Sequence, residues 1–113
     1  MTTDVSVEVL AGTKVVTFAI KFSSPSFELN VYVAQSQLAL LRQAAFTHWA
    51  SGAVQIGESA GGSAFWCAGE PGSVSIMVGR DDQTWDFSVQ VPATTIDIVL
   101  REAAKCAPFV GQA

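Results

Sequence analysis

Residues 16–33 read Val16-Thr17-Phe18-Ala19-Ile20-Lys21-Phe22-Ser23-Ser24-Pro25-Ser26-Phe27-Glu28-Leu29-Asn30-Val31-Tyr32-Val33. Bulky apolar side chains fall on every second position on both sides of Ser23-Ser24-Pro25-Ser26, the residue types that a tight reversal needs. Thr17, Lys21, Glu28 and Asn30 take the alternate positions, so one face of this hairpin meets a core and the other meets water or a partner. Val5, Val7 and Val9 repeat the pattern before the break at Ala11-Gly12-Thr13. Three antiparallel strands are predicted for the first third of the chain.

From Ser36 the period lengthens. Leu38, Leu41, Ala45 and Trp49 recur every three to four residues, with Ser36 as N-cap and Gly52 past the end, which predicts an amphipathic helix. Further strands are expected around Ala64 to Cys67, Val74 to Val78 and Trp85 to Val91, the last stopped by Pro92. The phase of Trp85 assigns it to the core. Thr94 caps a second helix, with Asp97 near the positive end of its dipole and Ile96, Val99, Leu100 and Ala103 as its buried stripe, ending near Cys106 before Pro108. The segment from Val54 to Ser63 reads as a short edge strand followed by a flexible loop.

Laying the chain on itself with a shift of 58 residues brings Phe27–Val33 onto Trp85–Val91, Ser36 onto Thr94, and Leu38, Leu41 and Ala45 onto Ile96, Val99 and Ala103. Residues 1–113 are therefore expected to form a single α+β domain. Its antiparallel sheet has about six strands with two helices on one face, in pseudo-halves of the form β-β-β-α at about 4–52 and 63–107.

The chain of 113 residues is 50% hydrophobic but only 14% charged, with a net charge of −4. Such a balance repels a phosphate backbone, so nucleic acid is not an expected partner. No stretch approaches the apolar length of a membrane span and no basic, apolar leader opens the chain, so the expected location is cytoplasmic. Cys67 and Cys106, widely separated, are expected to be reduced and buried.

Catalytic chemistry finds little to stand on. His48 is the only histidine and no zinc spacing exists, so neither a metal nor any other cofactor is expected. Phe65-Trp66-Cys67 reads as strand, and there is no Gly-x-Ser-x-Gly elbow. Ser59-Ala60-Gly61-Gly62-Ser63 lacks the Lys-Ser/Thr and the following helix of a phosphate loop. No catalytic residue is assigned.

A partner-binding surface is the sharper expectation. Asp81, Asp82 and Asp86, with Glu70 on the preceding turn, offer negative charge to a basic protein. Tyr32 and Met77 lie out of phase with the core residues of their strands and are expected to be exposed, as interface aromatics and methionines are. The segment Gly79-Arg80-Asp81-Asp82-Gln83-Thr84-Trp85-Asp86, with the Phe65-Trp66-Cys67 strand, the size and the acidity, resembles bacterial toxin-immunity proteins. That resemblance implies a non-enzymatic inhibitor that occludes a basic toxin domain. A secretion chaperone or adaptor, as a homodimer, is the alternative, and a small enzyme built around His48 or Cys67 is the third.

Overall fold

The computed structural model describes residues 3–10, 16–48, 52–81 and 84–110, the last five by backbone alone. In chain order the elements are β1 (Asp4–Val9), β2 (Thr17–Ser24), β3 (Phe27–Ala34), a 3-10 turn (Gln35–Gln37), α1 (Leu40–Ala44), β4 (Val54–Ser59), β5 (Gly62–Ala68), β6 (Ser73–Gly79), β7 (Trp85–Pro92) and α2 (Thr94–Val110). The strands form one antiparallel sheet whose spatial order is the chain order, β1 to β7. The α+β class is as expected; the described residues form seven strands, against about six expected.

The seventh strand is β4. It lies at the centre of the sheet, not at an edge, and turns into β5 through Ala60-Gly61 alone, so no long loop follows it. Its reading as an edge strand failed because its alternation is broken. Gln55 pairs with Phe65 and Glu58 with Ser63, so Ile56 and Gly57 together face Ala64. Gly57 has φ +73°, the left-handed geometry of a bulge built on glycine. On its other side β4 meets β3 at a single pair, Tyr32 with Glu58. The sheet is thus two well-paired blocks, β1–β3 and β4–β7, joined along a narrow seam. β4 belongs to neither expected pseudo-half, and the two helices differ in length, 5 residues against 17.

The first helix is shorter than its periodicity predicts. Ser36 lies inside the 3-10 turn and is not an N-cap; the Gln37 side-chain oxygen accepts the Ala34 N–H instead, at 3.2 Å. Leu41 and Ala44 are buried, whereas Phe46, past the helix, is 88% exposed. Trp49 and the turn at 11–13 lie outside the described residues, as does the side chain of Cys106. After α1 the chain runs beside the end of β5, where the Ala68 N–H donates to the Thr47 carbonyl at 2.8 Å and His48 pairs with Ala68 in parallel. The backbone of α2 continues past Pro108 to Val110, beyond the expected end.

One core holds both helices on the same side of the sheet. Phe18, Ile20, Phe22, Leu29, Val31 and Val33 from the first block meet Trp66, Val74, Ile76 and Val78 from the second, under Leu41 and Ala44 of α1 and Ile96, Val99 and Ala103 of α2. α2 packs chiefly on β1 and also reaches β7. A flat sheet of seven strands would hold its edges about 29 Å apart, at roughly 4.8 Å per spacing, far wider than a helix of about 10–12 Å. The sheet therefore curves around α2, bringing its first and last strands towards each other.

Candidate protein-binding face

The convex face of β5, β6 and β7 carries the side chains that point away from this core. The register sets them in rows: Phe65 beside Met77 beside Ser88, and Cys67 beside Ser75 beside Gln90. Met77 was expected to be exposed and is not; it is 3% exposed, packed with Phe65, Cys67 and the half-buried Ala53 in a second small apolar cluster. Alternation identifies the face a residue occupies, but a central strand has neighbours on both sides, and here they and the segment entering β4 cover that face. Cys67 is buried, as expected.

Trp85 is the converse correction. Val78 faces Phe87, but Gly79 faces Trp85, so one extra residue, Asp86, is inserted in β7. This bulge reverses the phase and turns Trp85 onto the convex side, where it is 42% exposed. Gly79 permits the arrangement: a Cβ there would collide with the Trp85 backbone. Trp85, Met77, Cys67, Ser88, Gln90 and Glu70 contribute to the walls of a shallow groove of ≈ 440 Å³. Ser88 and Gln90 carry no sequence signal as site residues, and the phase of Trp85 points to the core; the glycine at the strand end is the signal that a bulge follows.

The acidic residues do not form one cluster. Asp86 is exposed next to Trp85. The Asp81 carboxylate accepts the Thr84 N–H at 2.6 Å, in a turn that the Arg80 N–H closes on the Thr84 carbonyl at 2.8 Å. It therefore shapes the β6–β7 turn as well as carrying charge. Asp82 lies outside the described residues. Glu70 sits in the β5–β6 turn, at the opposite end of β6 from Asp81, so the expected charge cluster is divided, and Glu70 lines the groove whereas Asp81 and Asp86 do not. Tyr32 is exposed on the convex side as expected, but on β3, where it lines a separate pocket of ≈ 270 Å³ with Gln37, Gln55 and Glu58.

His48 is exposed and does not line the groove that Cys67 borders. Among the described residues no three His, Cys, Asp or Glu side chains are placed to hold a metal ion, and no helix is long and apolar enough to cross a membrane. Compared with known proteins, the chain matches no protein-family model, no curated protein and no solved structure.

Proposed function

We propose that this chain is a non-enzymatic protein-binding module, specifically a cytoplasmic bacterial immunity protein that covers the active site of a cognate basic toxin. The observation that carries this reading is the half-exposed indole of Trp85, held by a bulge beside the exposed carboxylate of Asp86 at the rim of the convex groove. Tryptophan is enriched among the few residues on which interface energy concentrates, and a neighbouring carboxylate adds charge selectivity. The carboxylates steer a basic surface inward and set its orientation, while the indole supplies the buried contact.

The test is capture followed by neutralisation. Lysate of the source organism is passed over the immobilised protein at low and moderate salt, and each retained protein is expressed alone and together with this chain. One basic protein, toxic alone, tolerated in the pair and released by Trp85→Ala with Asp86→Lys, supports the reading. A retained protein whose toxicity this chain leaves unchanged, or the absence of any retained protein, overturns it.

A secretion chaperone or adaptor is the second reading, favoured by the open edge of β7, where Phe87 is also exposed.

A further inference from the structure

β7 is the last strand in the sheet, so every second residue directs its N–H and C=O away from β6, with no strand beyond it among the described residues. Native edges are usually protected by charge, proline, bulges or a covering element. Phe87-Ser88-Val89-Gln90-Val91 contains no charged residue and no proline; the bulge at Asp86 and Pro92 delimit the stretch at either end. The opposite edge differs: β1 carries Asp4 and Glu8 and lies under α2.

A cleft of ≈ 430 Å³ borders this stretch, with Ser88, Val89 and Gln90 on one side and Ser24, Ser26 and Phe27 of the β2–β3 turn among the residues opposite. Ser88 and Gln90 belong to the convex face and Val89 to the core face, so a cleft touching all three runs along the edge itself. Ser24, Ser26 and Phe27 thus face the edge of β7 across the cleft. Among the described residues no basic side chain lines it; Asp4 follows the lining residue Thr3 and Asp86 lies two residues before Ser88, so the charge flanking the cleft is negative, while Glu28 is neutralised by Lys21 at 3.0 Å.

We propose that this cleft takes an extended segment of a partner polypeptide, uncharged at its centre and basic at its ends, as an eighth strand on β7. Main-chain hydrogen bonds to β7 supply the affinity, and alternate side chains meet Phe27 and Val89 on one face and the serines and Gln90 on the other. The proposal rests on the protein-binding reading but not on the partner being a toxin.

The probe is a labelled nonapeptide of alternating threonine and valine with lysine at each end, compared with the same peptide N-methylated at every amide. Saturable binding is expected for the first peptide, weaker by about tenfold or more for the second, because methylation removes the donors a strand needs. Amide hydrogen exchange in Phe87–Val91 is expected to slow on binding. Ser26→Trp, an exposed turn position that leaves β7 untouched, fills the cleft and is expected to weaken binding by a similar factor. Absence of saturable binding, equal binding of the methylated peptide, protection confined elsewhere, or a stable dimer that itself protects β7 each overturns the proposal. If a captured protein partner binds through Trp85 while β7 amides exchange unchanged, the strand site fails and the protein-binding reading stands.

Discussion

The indole N–H of Trp66 donates to the carbonyl oxygen of Ile56 at 3.0 Å, in the buried centre of the sheet. Ile56 lies in the bulge of β4, where the ladder to β5 is interrupted, and the indole satisfies a carbonyl held away from water. The same ring meets Phe22 of β2 edge-on, with centroids 5.8 Å apart and planes at 64°. One side chain thus ties the bulge of the second block to the core of the first, across a seam that the strands themselves barely pair.

Trp66→Phe keeps most of the apolar volume and removes the donor. It is expected to destabilise the fold by about 1–3 kcal/mol, the cost of leaving a buried carbonyl unmet. Urea unfolding with an unchanged slope checks it, and Trp66→Ala should cost more, about 3–5 kcal/mol, by opening a cavity.

Gly57→Ala places a Cβ 2.5 Å from the Tyr32 carbonyl oxygen and 2.8 Å from a Val33 methyl, at φ +73°. Both strain and collision fall on the seam between the blocks, so a loss of more than about 1 kcal/mol is expected. Chemical denaturation measures it, and hydrogen exchange should show β3 and β4 opening before the strand pairs on either side.

Met77 and Trp85 occupy the same groove but should separate stability from binding. Met77→Ala removes a buried side chain and is expected to cost about 2–5 kcal/mol. Trp85→Ala, at a side chain that is 42% exposed, is expected to cost less stability than Met77→Ala while abolishing capture of the partner. Parallel unfolding and binding measurements on the two variants check the separation.

Glu102 is held below the usual carboxylate range, chiefly by its hydrogen bond from Lys105, with the charges of Lys105 and Arg101 adding; the Lys105 ammonium lies 2.7 Å from its oxygen. A folded-state value below the unfolded one means that the contribution is present above the ordinary carboxylate pKa and disappears as pH falls through the folded value. A carboxyl NMR titration is expected to show the depressed midpoint, and Lys105→Gln to move it back upward.

Particular residues show where the reading of the sequence succeeded. Phe18, Ile20, Phe22, Leu29, Val31 and Val33 alternate without interruption, and all are buried on one face of β2 and β3. Ile96, Val99 and Ala103 keep helical spacing and are buried in α2. The expected site fared differently. Tyr32 is exposed, but Met77 is covered, Trp85 is turned outward, and Glu70 is separated from Asp81 by the length of β6. Alternation gives the face of Met77 but not the neighbours that cover it; at Trp85 it assumes an unbroken strand, and a bulge adds one residue and reverses every assignment beyond it on that strand.

By itself, the sequence determined the α+β class, the antiparallel pairing of neighbouring strands, and most of the core, because those follow from local periodicity and turn chemistry. Tertiary structure alone decided that β4 lies at the centre, that the sheet curves around α2, and that Trp85 is turned onto the convex face. These depend on contacts between adjacent strands, some within one hairpin and one between the two blocks: Ile56 with Trp66, Gly79 against the Trp85 backbone, and Gly57 against Tyr32. Neighbour-to-neighbour periodicity carries no record of such close approaches, since they arise only when the strands are brought together.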